Sequence, residues 1–442
     1  MSHALAEARA PDTASYRKTT LENGLRVVTE TMPNVRSLAM GFLIDAGPCS
    51  EPSHQSGLAH LTEHLLFQGT SNRNAQQIAR LMDLTGGQIG GFTTRDYTCY
   101  FALVLDEHRT YALDLFGDLF LNSTFSEKSL QREKEAILRE MDAGRDAPDR
   151  RVHDLLKAHA WSGHPLGRTI AGSRESIERL SREDVIYFFH EHYTPDRMIL
   201  AAAGQVEHQD FAAQARDAFW RLLGEREEIP ATRPVFHGGI VLEETAVAQA
   251  YFALGIPAPA YGHADRFGIH VIANVLGGGM SSRLFRRLRE ERGLVYHVAA
   301  EYHAYRDAGM LVVEGSTAAD ELQEVLKIIL TEIQQLSSGV AALDDEEIWK
   351  ATLQIRRQHL LDAENTNIRM SRLATQELYF GRHFPANEVL ANIEAIDGPV
   401  LNRLMREWLA PALKQTAVAV VAPEAKNHYS TAGLANLVAG RN

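Results

Sequence analysis

"GLAHLTEHLLFQGT", residues 57–70, decides how this chain is read. Leu58, Leu61 and Leu65 recur at helical spacing and Gly69 supplies a stop, so the segment predicts a short amphipathic helix over 57–67. Helix positions four residues apart lie about 40° apart around the axis. His60 and His64 therefore aim two imidazoles at one point, with Glu63 beside them. Neutral imidazole nitrogens suit zinc. Glu63 is poorly placed to be a third ligand but well placed to accept a proton from a water held there. The order H-x-x-E-H occurs among catalytic zinc motifs. It also occurs on ordinary surface helices that carry a His–Glu pair, so a ligand from elsewhere in the chain has to separate the two readings.

"SEKSLQREKEAILREMDAG" (126–144) is the segment that could provide it. Ser126 reads as an N-cap and Gly144 as a stop. Glu133 and Glu140 are seven residues apart and share a face, next to a strip of Ala136, Ile137 and Met141. Taken alone, this is a charged, solvated helix.

The surrounding pattern is that of an α+β protein. Strand-like runs fall at 25–32, 37–47, 98–105 and 198–206, and helical periodicity at 74–85, 107–122 and 175–191. "GEREEIPATRPVFHGG" then reads as a linker, assigned to 229–240, between an N-terminal half (1–228) and a C-terminal half (241–442). The second half begins the order again: strand 248–256, helices 264–276 and 281–291, strands within 294–316, helix 319–337 and strand 416–422. "HLTEHLLFQG" (60–69) aligns without gaps on "HVIANVLGGG" (270–279), pairing His60 with His270. Glu63 falls on Ala273 and His64 on Asn274, so a duplicated second half would keep the scaffold and lose the cluster.

Bulk properties exclude some classes. The 442 residues carry a formal charge of −12, which leaves no overall basic footprint for nucleic acid. No apolar run approaches the ~20 residues of a membrane span. Two cysteines, Cys49 and Cys99, require no disulfide framework, and the N-terminal stretch lacks a secretory h-region. These features lead to the expectation of a soluble, cytoplasmic protein. His190 and His192 would share one side of an extended segment, but no third ligand for them is evident.

Together, the segments around 60 and 140 resemble the M16 (pitrilysin and mitochondrial processing peptidase) family of zinc metallopeptidases. That family pairs the inverted motif with a distant glutamate, and His64 and Glu140 are 76 residues apart here. "EAILREMDA", "HPLGRTIAG" (164–172) and "HYTPDRMILAAAGQV" (192–206) carry the likeness further, over roughly residues 20–425.

The resemblance implies two structurally similar α/β halves of the LuxS/metallohydrolase type, each a mostly antiparallel sheet covered by helices. It implies one zinc per chain on His60, His64 and Glu140, with Glu63 as general base and Glu133 orienting a histidine. Arg289 and Tyr296 match the family's Arg/Tyr pair, which acts on the substrate from the zinc-free half. The implied partners are a peptide substrate and a second chain. A clamshell homodimer is favoured, with a heterodimer beside a zinc-free homologous chain as the other arrangement. "GGQIGGFTTRDYTCY" departs from the family, with Gly90 and Gly91 standing where asparagine and alanine are usual. Gly90, Gly91, Phe92 and Thr93 are nonetheless the expected edge strand for an added peptide. The departure suggests a narrow substrate range, such as the precursor peptide matured in pyrroloquinoline quinone biosynthesis. A non-catalytic core-type scaffold is the rival reading.

Overall fold

The strand-like runs form two sheets in the computed structural model, which describes residues 15–225, 232–340, 342–424 and 429–438. The first sheet contains β1 (Ser15–Thr20), β2 (Arg26–Thr31), β3 (Ser37–Ile44), β4 (Gln88–Thr93), β5 (Thr98–Leu105) and β6 (Met198–Gly204). Their order is β1-β2-β6-β3-β5-β4, with only β2 and β6 parallel. The second sheet contains β7 (Gly239–Glu244), β8 (Ala250–Ala258), β9 (Val295–Ala304), β10 (Gly309–Thr317) and β11 (Ala417–Ala422). Its order is β7-β11-β8-β10-β9, with only β7 and β11 parallel. With β1 set aside, both halves follow the order first–fifth–second–fourth–third and share the same parallel pair. The fold is thus two α/β halves with one topology.

Strand composition follows position. β6 (MILAAAG) and β11 (AVAVVA) are buried at every residue, as strands covered on both faces must be. One face of each sheet packs against helices of its own half. The other face receives a helix from the opposite half. Val152, Leu156 and Ala160 of the Pro148–Ala160 helix pack on Ala253, Met310 and Ala419 of the second sheet. Met370, Leu373 and Ala374 of the Thr366–Phe380 helix pack on Val28, Ala39 and Ile199 of the first. Polar contacts lock the exchange: Tyr379 Oη donates to Asp96 at 2.8 Å, Lys18 pairs with Glu377 at 2.7 Å, and Arg306 pairs with Asp45.

Two sequence expectations change in detail. The 175–191 helix is two helices, Arg174–Arg179 and Arg182–His192, because Ser181 caps the second with a reciprocal bond to Asp184. Of the 229–240 linker, residues 229–231 lie outside the described residues, 232–238 are irregular, and 239–240 already belong to β7.

Candidate metal centre

The Leu58–Leu66 helix begins at Gly57, whose φ is +95°. A Cβ there would lie 2.5 Å from the Ala171 carbonyl oxygen, so only glycine lets the "HPLGRTIAG" loop close over the helix start. The Gly57 and Ala59 amides donate to the Glu51 carboxylate at 2.9 and 2.7 Å. Burial pushes the Glu51 carboxyl up to about 7, although these amide bonds favour its charged form. Glu51 thereby satisfies helix donors that water cannot reach. It precedes the helix by too many residues to match a capping-box spacing, so no sequence pattern reveals it. Buried Leu58, Leu61, Leu65 and Leu66 seat the helix, and the histidines stand on its flank.

The rings of His60 and His64 lie 4.5 Å apart, inclined at 70°. His60 Nε2 is 4.0 Å from Glu140 Oε2, carried by the Glu127–Arg145 helix. One ligand atom from each of His60, His64 and Glu140 lies within 4.8 Å of the others, and no other such group occurs among the described residues. Bonds of ~2.0–2.2 Å to a tetrahedral ion place ligand atoms closer together, at about 3.4 Å. The Glu140 side chain is 60% exposed and free to swing inward. Glu133 Oε2 is 3.3 Å from His64 Nδ1. A proton on Nδ1 donated to Glu133 leaves the Nε2 lone pair for a metal. Burial, with His64 adding to it, lowers His60 to about 4, so its ring is neutral as a ligand must be. Its buried Nδ1 has no partner among the described residues. Two imidazoles and a carboxylate with an orienting acid are a donor set that fits zinc.

Glu63 is only 8% exposed, and burial raises its carboxyl above the usual range. The Thr93 hydroxyl donates to its Oε2 at 2.7 Å, which leaves Oε1 to exchange a proton. A Cβ on Gly91 would lie 3.0 Å from Glu63 Cγ and 3.2 Å from Oε1. Glycine at 91 makes room for the carboxylate.

Sequence comparison is consistent with this centre. Residues 26–174 match the profile of Insulinase (Peptidase family M16), and residues 179–351 that of the Peptidase M16 inactive domain. The chain is 35% identical over 407 residues to an uncharacterized zinc protease of Bacillus subtilis, YmxG, covering 92% of this chain and 98% of that one. The chain belongs to peptidase family M16. It is also 31% identical over 428 residues to a probable mitochondrial-processing peptidase subunit beta of Arabidopsis thaliana, covering 94% and 79% of the two chains. The crystal structure of a protease from Helicobacter pylori superposes with a TM-score of 0.84 at 21% identity, covering 93% of this chain and 100% of that one.

In this family M16 chain the remaining site residues divide. His60, Glu63, His64, Gly91, Phe92, Thr93 and Glu140 all line one cleft of ≈ 1040 Å³. β4 is an edge strand, so its backbone is open to an added strand as expected. The side-chain positions at 91 and 93 turn toward Glu63, and the Thr93 hydroxyl donates to its carboxylate. Gly90 turns to the opposite face, where a Cβ would sit 3.7 Å from Phe101, an ordinary contact; packing does not require glycine there. Arg289 and Tyr296 do not meet the centre within the chain. The Arg289 guanidinium lies over the Tyr296 ring at 4.9 Å, at the end of a π-helical turn, and Tyr296 is 78% exposed. Glu301 and His303, toward the other end of β9, are the residues that enter the cleft. Five residues of strand separate Tyr296 from Glu301, roughly 17 Å. His190 and His192 sit on the Arg182–His192 helix, not on an extended segment. Two residues apart they face different directions, and His192 is buried.

Proposed function

We propose that this chain is a zinc-dependent endopeptidase that cuts unfolded or precursor peptides laid along β4. The observation that carries the reading is the convergence of His60, His64 and Glu140 beside a buried Glu63. Zinc, when bound, supplies Lewis-acid activation of a water and of the peptide carbonyl. Glu63 Oε1 takes the proton from the attacking water and passes it to the leaving amine, while Thr93 holds the other oxygen. Burial raises Glu63 toward the pKa range in which a carboxylate both accepts and returns a proton. Glu133 fixes the His64 tautomer. The β4 edge aligns the peptide backbone through strand pairing.

The exposure of Arg289 and Tyr296 outside the cleft favours a second chain as their place of action. We read the working unit as a dimer in which each cleft is completed by the partner's pair. A cytoplasmic location belongs to the same reading, with Cys49 and Cys99 both free thiols. Zinc analysis of purified protein and of Glu63→Gln protein, together with turnover of a quenched peptide, tests the proposal. One zinc per chain in both, with turnover only in the first, is the expected result. A metal-free protein under zinc-replete conditions would support the scaffold reading instead.

A further inference from the structure

Thr93, whose hydroxyl holds Glu63, is followed at once by the loop 94–97 that joins β4 to β5. The Thr94 amide donates to the Tyr97 carbonyl at 2.8 Å and closes that loop. Within it, Asp96 is only 9% exposed. Both hydrogen bonds its carboxylate accepts among the described residues come from the second half. Tyr379 Oη donates at 2.8 Å and the Arg306 backbone N–H at 2.9 Å. Burial raises the Asp96 carboxyl, and those two donors and the Arg306 charge oppose the rise. A buried carboxylate stripped of its donors is costly, so the loop keeps this place only while the second half is docked. The Arg306 guanidinium reaches on to Asp45, just after β3. The chain leaving Asp45 is seated on the same loop. A Cβ on Gly47 would lie 2.6 Å from the Thr94 carbonyl oxygen, and the Cys49 amide donates to the Arg95 carbonyl at 3.0 Å. Six residues beyond Asp45, Glu51 accepts from the amides that open the helix of His60 and His64. Arg306 therefore grips both segments that fix the centre.

Resting on the peptidase reading above, we propose that Arg306 and Tyr379 are positioning residues for the hydrolysis. They hold the loop 94–97, and through Thr93 they keep Glu63 aimed at the attacking water. The docked second half is thereby a requirement of the first half's chemistry and not only a cover for its sheet. A built-in control lies elsewhere in the same interface. Lys18 also pairs across the halves, with Glu377 at 2.7 Å, but it sits on β1, the edge of the sheet opposite β4.

The test compares Tyr379→Phe, Arg306→Ala, Arg306→Lys and Lys18→Ala in the full chain, with a quenched peptide as substrate. Tyr379→Phe and Arg306→Ala should each lower kcat by about 10–100-fold, with KM and zinc content held. Arg306→Lys, which keeps the charge, should recover most of that loss, and Lys18→Ala should show none. In a Thr93→Val background the further loss from Arg306→Ala should shrink to about twofold, because the route to Glu63 is already broken. Hydrogen exchange read by mass spectrometry supplies a second measurement that needs no turnover. Amides of 88–98 should exchange about tenfold faster in Tyr379→Phe and Arg306→Ala, but not in Lys18→Ala. Should Arg306→Ala fail to fold, Tyr379→Phe, which loses a single hydroxyl, carries both measurements. Losses that add in full on the Thr93→Val background, or that Lys18→Ala shares, would overturn the proposal, as would unchanged exchange. Wild-type protein that cuts nothing, with the exchange pattern as predicted, keeps the coupling of the second half to the loop and loses the peptidase reading. Active protein whose kcat ignores Tyr379→Phe and Arg306→Ala loses only the positioning role.

Discussion

The Leu58–Leu66 helix lies against edge strand β4, and the Arg266–Gly277 helix lies against edge strand β9. With β1 set aside, each edge strand is third in the chain order of its half. His60 and His270 hold matching places in the aligned segments, but their neighbours diverge. Around His60 stand His64, Glu63 and Glu140. On the second helix, Asn274 shares a pocket with Lys350 and Gln354, and Lys350 is ion-paired with Glu346 at 2.7 Å. Ala273 and Asn274 put neither a carboxylate nor an imidazole where Glu63 and His64 stand in the first half, so the second helix lacks the donors a divalent ion needs. The two halves show that the shared topology supplies only a platform, and that a few side chains decide whether it can hold a metal. The exchanged helices explain why both halves persist, since each sheet leaves one face for the other half to cover.

The largest predicted effect falls on the residue whose counterpart is Ala273. Glu63→Gln should lower peptide turnover by roughly 10³–10⁴-fold while zinc content holds, measured by steady-state kinetics beside metal analysis. The exchange predicts the next effect. Leu156→Ala and Met370→Ala each remove buried atoms where one half meets the other. Each should cost about 2–5 kcal/mol in denaturant unfolding, with both halves unfolding in one transition. Two separated transitions would show that the halves are independent. Glu133→Gln should weaken zinc binding by about 10–100-fold in chelator competition, because the His64 tautomer is no longer fixed. The second-half variant Lys350→Ala should leave zinc affinity unchanged. The smallest change expected among the first-half variants is from Gly91→Ala, which pushes on Glu63 Cγ and should reduce kcat about tenfold with zinc and fold retained.

Much of this was legible in the sequence for reasons the structure makes plain. Leu58, Leu61 and Leu65 announce a local helix, and a helix fixes the relation of His60, Glu63 and His64 by itself. β6 and β11 are short apolar runs because they are buried on both faces. Glu140 could be placed only through family resemblance, since no local rule links positions 76 residues apart. What escaped depends on surfaces distant in the chain. The periodicity of 148–160 does not say that Leu156 will meet Met310, nor does anything near Met370 point to Ala39. The strand pattern of 90–93 does not say that the Thr93 hydroxyl will reach Glu63. Nothing in the 288–296 pattern says that Glu301 and His303, toward the other end of β9, will line the cleft of their own chain.

Diffraction at the zinc absorption edge, from crystals grown with zinc, tests the central claim most directly. The account predicts one anomalous peak per chain within about 2.0–2.2 Å of nitrogens from His60 and His64 and an oxygen from Glu140. A peak held by other residues, or zinc bound with Glu140 turned away from both imidazoles, would contradict it.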